Sequence, residues 1–313
     1  LNDKTLVASN PITISLNKGQ TYSLRSEYTL SELRPSGTHI TSNKPISVTM
    51  SDDSILGNAY YGGNAYDLLG DQLIPVSKMG HEYIAIKGEL NLDDKIYITA
   101  SENNTNIFLG GTFITNINSG ETYEASLINN SMYINTSKPV IVLHMTGYGS
   151  EVCGAILPPI NCTGSKNVSF IRSENNPFFK LNILIKTGSE NDFFFNGNSN
   201  LITANDFNEV PNTNGEWLFA SISEPSFVEI LQNSTISNSS DFFHVGIIMG
   251  RNSSSRYGYF SNFNEFEHEI TSSSESYCIG DNLVLSGESI SDVDYVWQGP
   301  NDFYASGNNY NFG

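Results

Sequence analysis

One phrase occurs twice in this chain, and it constrains the fold more than any other feature. Residues 37–49 read GTHITSNKPISVT, and residues 130–142 read NSMYINTSKPVIV. Each is a β-prone stretch, a break ending in Lys-Pro, and a second β-branched stretch. A looser third copy, WLFASISEPSFVEI at 217–230, carries Glu224 where the others carry Lys44 and Lys138. Self-similarity of this kind marks a chain built from copies of one structural unit.

Further echoes extend the copies. LNKGQTY at 16–22 answers INSGETY at 117–123, each a turn at Gly followed by a strand carrying Tyr. NIFLGG at 106–111 answers DFFFNG at 192–197, an offset of 86 positions that Pro139 and Pro225 share. QLIPV at 72–76 answers AILPP at 155–159, and VGIIM at 245–249 stands in the same place in the third copy. These echoes predict an all-β fold of three homologous antiparallel units, near 11–90, 91–175 and 176–264, forming one domain over 1–264. Tandem sandwich-like units and a closed pseudo-three-fold assembly both fit. Proline cannot donate to a β-ladder, so each Lys-Pro marks a strand start, an edge or a bulge. Lys44 and Lys138 read as solvated edge residues that discourage edge-to-edge pairing.

Charged residues are 15% of the chain, and Gly, Asn, Ser and Thr fill the gap, as suits many short strands joined by turns. Alternating runs such as KIYIT at 95–99 and NILIK at 182–186 are strand-like. Helix is expected to be scarce, with one helical turn near residues 66–69. The net charge of −18 repels phosphate backbones and anionic membranes, so nucleic acid is not an expected partner. No apolar stretch is long enough to span a bilayer, so no direct membrane insertion is expected. The chain starts at Leu1 without Met or a signal peptide, which predicts a processed N-terminus.

Cys153 and Cys162 are nine positions apart and flank a Pro-Pro pair. A disulfide between them, closing a short loop in an oxidising compartment, is the expectation; two free thiols are the alternative. Cys278 on one alternating strand and Trp297, nineteen residues later, resemble the opening of an immunoglobulin-like sandwich. A linker is expected over 265–276 and a truncated immunoglobulin-like domain over 277–313, with further such domains of the same chain as partners.

Two stretches carry a family resemblance: the phrase at 37–48, and DQLIPVSKMGHEY at 71–83. Together they resemble the IgGFc-binding-protein N-terminal domain family, over roughly residues 1–264. Its members include part of a large mucus-associated animal protein and domains of very large surface proteins of gliding and gut-dwelling bacteria. The resemblance implies an extracellular, bacterial cell-surface adhesive module, exported in such bacteria by type IX secretion. It implies structural roles for Asp71, Gln72, Pro75 and Gly80, and supplies no binding-residue motif.

Catalytic motifs are missing. The five histidines form no His-x-x-x-His spacing, and there is neither a Gly-x-Ser-x-Gly elbow nor a phosphate-binding glycine loop. The best binding candidates are tyrosines among Gly and Asn, as in adaptable paratopes: Tyr60, Tyr61 and Tyr66 in one loop and Tyr148 in its counterpart. A third loop adds Arg251, Arg256 and Tyr257. Matching loops after matching strands are expected to cluster on one face. Asp52, Asp53, Asp67 and Asp71 bracket a loop whose oxygen-rich chemistry suits calcium; a solvated acidic loop is the alternative. The leading functional expectation is a non-catalytic adhesion or ligand-binding module, a gliding-motility adhesin in gliding bacteria. Its expected partner is a glycan or glycoprotein, mucin-like or immunoglobulin-like. The alternative is a structural spacer or assembly module of a surface filament. A carbohydrate-active enzyme is the reading the residues support least.

Overall fold

The computed structural model describes residues 11–25, 35–56, 66–161, 163–174, 177–251, 253–261, 263, 270–272, 283–287, 296–299, 303–307 and 309–312. The first strands are β1 (Thr49–Leu56), β2 (Tyr66–Gln72), β3 (Gly80–Ile86), β4 (Glu89–Leu90) and β5 (Asp94–Ala100). There follow β6 (Thr105–Leu109), β7 (Thr112–Ile117), β8 (Thr122–Leu127), β9 (Ser131–Gly149) and β10 (Glu151–Leu157). The next stretch holds β11 (Asn167–Ile171), β12 (Phe178–Lys186), β13 (Phe193–Phe195), β14 (Phe207–Glu209), β15 (Trp217–Ser223), β16 (Asn233–Asn238), β17 (Phe243–Arg251) and β18 (Ser254–Phe260). The described residues contain no α-helix, only short 3-10 turns at Val76–Lys78 and Ala204–Asp206. The helical turn expected near 66–69 is instead the start of β2, where exposed and inward residues alternate and Leu69 is buried.

The second copy of the phrase is a single strand. β9 runs for 19 residues straight through Lys138-Pro139. Its first half pairs with β3 and β6, and its second half with β5 and β10, all antiparallel. Proline costs no ladder bond here, because the β3 register jumps from Asn135 to Val140 and the β5 register ends at Val140, leaving Pro139 between paired positions; its carbonyl accepts from the Ser101 hydroxyl at 2.6 Å. The two half-sheets joined through β9 enclose one core of Tyr83, Ile96, Ile98, Ile107, Leu127, Ile134 and Val142. The β3–β9 register slips between Gly80 and Glu82. Tyr83 bridges the slip, donating to the Val140 carbonyl at 2.5 Å and accepting from the Gly80 amide at 2.9 Å. Lys138 lies on the surface, within hydrogen-bond reach of the Asn103 carbonyl and 3.7 Å from Glu102.

The third copy builds the same pattern with separate strands. The sheet order β8-β5-β9-β10 is matched by β15-β12-β17-β18, and β6-β9-β3 by β13-β16-β11. The single strand β9 thus does the work of β16 and β17 together. A phenylalanine-rich core of Phe179, Leu181, Ile183, Phe193, Phe195 and Phe243 fills this part. Ile84 and Ile86, on the opposite face of β3, pack with Leu184, Trp217 and Phe219 and join the two parts. The sequence echo at 217–230 is displaced by one strand: Trp217–Ser223 is β15, which pairs with β12 as β8 pairs with β5. Alternating strands look alike in sequence, so the echo matched the wrong neighbour.

Other echoes have the same local geometry. Gln20 N–H donates to the Asn17 carbonyl and Glu121 N–H to the Asn118 carbonyl, with Gly19 and Gly120 at φ 83° and 81°. Gly110-Gly111 and Asn196-Gly197 both place two consecutive residues at positive φ, the type I′ geometry of tight hairpins. The first phrase copy forms no strand until β1 begins at Thr49. β1 and β2 pair as a separate hairpin, in the place that β9–β10 and β17–β18 hold in the later copies.

The last strands are β19 (Ile270–Ser272), β20 (Leu283–Gly287), β21 (Val296–Gly299), β22 (Phe303–Ser306) and β23 (Asn309–Phe312). They form two small sheets, β19-β20-β23 and β21-β22. β19 falls inside the span expected to be linker. Trp297 is buried and donates its indole N–H to the Gly307 carbonyl at 2.7 Å. Cys278 lies outside the described residues.

Tyr83→Phe leaves the Gly80 N–H without an acceptor and the Val140 carbonyl without its donor. We expect a loss of about 1–3 kcal/mol, read from the urea midpoint at unchanged m-value. Gly120→Ala places a Cβ in the left-handed region and is expected to cost about 1–2 kcal/mol in the same assay.

Candidate ligand-binding face

All seven residues of β10 are buried, which is unusual for a strand with a sheet partner on one side only. The covering comes from β2. Asp67, Leu69 and Asp71 are alternate residues and so project from one face of β2. Leu69 sits against Gly154, where a Cβ would approach its Cδ1 to 2.7 Å. On either side of Leu69, Asp67 Oδ2 accepts from the Val152 N–H at 3.0 Å and Asp71 Oδ2 from the Ile156 N–H at 2.7 Å. Two carboxylates thus satisfy the edge of β10 that no strand pairs. Of the four expected calcium ligands, Asp67 and Asp71 are committed to these bonds, Asp52 lies across the hairpin on β1, and the Asp53 side chain lies outside the description. Among the described residues no group of three or more His, Cys, Asp or Glu side chains is placed to hold a metal ion.

The predicted binding residues separate into two groups. The tips of β9–β10 and β17–β18 lie side by side, with Tyr148 packed against Gly250. The Tyr148 ring does not project; it stacks on Phe178 with centroids 4.2 Å apart. Arg251, next to Gly250, is exposed and held by a bond from its Nε to Ser254 Oγ at 3.0 Å. Arg256 is exposed on β18. Tyr66 is 67% exposed and adjoins Asp67, which touches the start of β10. Tyr66, Tyr148 and Arg251 therefore stand around the same hairpin ends. Glu151, only 9% exposed, joins them; burial and then the neighbouring Asp67 charge raise its carboxyl pKa. Tyr60 and Tyr61 lie outside the described residues.

Tyr257 belongs to the interior. Its ring meets His144 edge-on at 5.4 Å, and its hydroxyl lies 3.3 Å from His144 Nδ1. His144 Nε2 lies 2.9 Å from Asp94 Oδ2, which also accepts the Gly88 N–H at 2.8 Å. Asp94 and His144 are fully buried, and burial holds the Tyr257 phenol pKa far above its ordinary value. Cys153 points from β10 into the same interface, its sulfur 3.2 Å from Ser255 Oγ. It is a free thiol; Cys162, its expected disulfide partner, lies outside the described residues. Burial pushes the Cys153 thiol up to about 12, so at neutral pH it holds its proton. An Asp–His–Tyr chain and a thiol resemble catalytic parts, but Asp94, His144 and Cys153 are buried and the thiol keeps its proton. Their work is to join two sheets.

Sequence reasoning passed over Asp94, Glu151 and Phe178. Asp94 and His144 are 50 positions apart, and no short motif links them. The alternation in β5, which buries Asp94 on the face of Ile96 and Ile98, is the one signal available.

His244 is 1% exposed, and burial lowers its pKa from 6.5 to about 4. Its folded pKa is below its unfolded one, so its contribution is complete above pH 6.5 and lost as pH falls toward 4. We expect about 3 kcal/mol of stability to disappear across that window, and His244→Gln to flatten the loss in a pH series of urea melts. Cys153 is expected to resist iodoacetamide until the protein is unfolded, as mass spectrometry of labelled peptides will show.

A family model described as IgGFc binding protein matches residues 2–248. No curated protein matches the chain. No helix among the described residues is long and apolar enough to cross a membrane. The matched span covers the β9-centred sheet, the β1–β2 and β9–β10 hairpins and the β12-centred sheet as far as β17, and domains of this family are extracellular binding modules. The chain belongs to the IgGFc-binding protein family.

Proposed function

We propose that this chain is a non-catalytic adhesion module of a large bacterial surface protein and grips a glycan or glycoprotein through its hairpin ends. The observation that carries the reading is the convergence of the β9–β10 and β17–β18 tips at the Tyr148–Gly250 contact, with exposed Arg251 and Tyr66 beside it. A rigid sheet that presents aromatic and guanidinium groups at its loop ends is a common binding arrangement. Burial of Asp94, His144, His244 and Cys153 in the interior supports a role without catalysis. In gliding bacteria such a module serves at the tip of a motility adhesin.

A second reading, a spacer within a surface filament, draws on the inward turn of Tyr148 and Tyr257. The two separate on an array of glycans and mucin-type glycoproteins, probed with and without calcium. We expect specific binding that falls roughly tenfold, about 1.4 kcal/mol, in Tyr66→Ala and again in Arg251→Ala. An array blank in both conditions favours the spacer, and dependence on added calcium gives the acidic loop a ligand role.

A further inference from the structure

Three strands that end the three hairpins share a pattern. β2 contains DLLGDQ (67–72), β10 EVCGAI (151–156) and β18 SRYGYF (255–260), which set Gly70, Gly154 and Gly258 in one register. The structure brings these strands together. β2 and β18 both lie against β10, with Leu69 over Gly154 and Cys153 against Ser255. Between them is a cavity of about 220 Å³, lined by Gly70–Gln72, Gly154–Ile156 and Tyr257–Tyr259, with Phe263 at its side. Each strand thus brings its aligned glycine to one space, Gly70 and Gly154 with the two residues that follow and Gly258 with one residue on either side. Side chains of a strand alternate between faces, so lining by three consecutive residues means that the backbone itself faces the cavity.

We infer that this cavity is a subsite for one neutral sugar residue, a terminal hexose or N-acetylhexosamine of the glycan proposed above; the inference rests on that reading. Size limits the occupant. About 220 Å³ holds roughly seven waters at about 30 Å³ each, room for one pyranose ring and not two, and less than the roughly 300 Å³ at which pockets for drug-sized ligands begin. Chemistry limits it further. Phe263 and Tyr259 supply apolar ring surface for the C–H face of a sugar. Asp71 already accepts the Ile156 and Gln72 amides at 2.7 Å each; a carboxylate has about four acceptor positions, which leaves two for sugar hydroxyls. The Gln72 side chain adds an amide. The Asp71 charge and the net −18 of the chain oppose an anionic sugar, so sialic acid is excluded from the site.

The test is an amide chemical-shift titration with galactose, N-acetylglucosamine and N-acetylneuraminic acid, with tetra-alanine as an extended-peptide control. It is repeated on Gln72→Ala, an exposed change that leaves the core intact, and on Phe263→Ala. We expect a neutral sugar to move the Gly70, Gly154 and Gly258 amides with millimolar affinity, about fivefold weaker in Gln72→Ala for the loss of one neutral hydrogen bond and in Phe263→Ala for the loss of its ring face. N-acetylneuraminic acid and tetra-alanine are expected to leave them unmoved. The inference is overturned if neither neutral sugar moves these amides, if affinity is the same in both variants, or if only the peptide binds. Array binding that survives both variants but falls with Arg251→Ala overturns the subsite and keeps the adhesion reading. A blank array together with sugar shifts at the three glycines overturns the hairpin-end reading and keeps the subsite.

Discussion

Everything in the central part of this molecule hangs on β9. A strand of 19 residues is far longer than the usual five or six. It persists because different neighbours pair with its two halves. The first half satisfies β3 and β6, the second β5 and β10. Pro139 sits where these allegiances change, so its missing N–H removes no bond that either half-sheet needs. The change of partners folds one sheet over its own core. In the β12-centred part the same job falls to two strands, β16 and β17, in two different sheets. The continuous and the split versions are two ways of wrapping strands around an apolar interior.

The second constraint is the edge of β10. An unpaired strand edge invites association with another chain. Here Asp67 and Asp71 accept two of its N–H groups, and Leu69 fills the space over Gly154 between them. Buried carboxylates are costly unless hydrogen-bonded; these are partly exposed and each takes a backbone donor. On the other face of β10, Cys153 meets Ser255, and near it Asp94, His144 and Tyr257 form a chain between sheets. Such a network fixes how two sheets sit together more than it adds stability. Asp67, Asp71 and Cys153 thus all take part in this packing.

Much of this was legible in the residues. Alternation and Gly-centred turns announced an all-β fold, and the echoes at Gly19 and Gly120, and at Gly110-Gly111 and Asn196-Gly197, have one geometry each. These are local features, set by φ and by hydrogen bonds within four residues. The displaced echo at Trp217 shows where reading by likeness fails: β8 and β15 are equivalent by pairing, not by wording. The family phrase DQLIPVSKMGHEY is also explained. Asp71 caps β10, Gly80 leaves room for Pro159, and Tyr83 bridges the slip beside β9, so these positions of the phrase have packing roles.

The sequence by itself determined the strand class and the glycine-centred turns, because periodicity and glycine conformation act over a few residues. Tertiary structure alone decided which tyrosines face outward. Tyr66 and Tyr257 are equally tyrosine-like in sequence, yet one is exposed at a hairpin end and the other turns inward with its ring edge-on to His144. It also decided that Asp67 and Asp71 bind backbone, that Cys153 meets Ser255, and that Gly70, Gly154 and Gly258 surround one cavity. The reason is distance along the chain: Asp67 and Asp71 meet partners 85 residues away and Cys153 one 102 residues away, and only the packing of three hairpins brings such groups within reach.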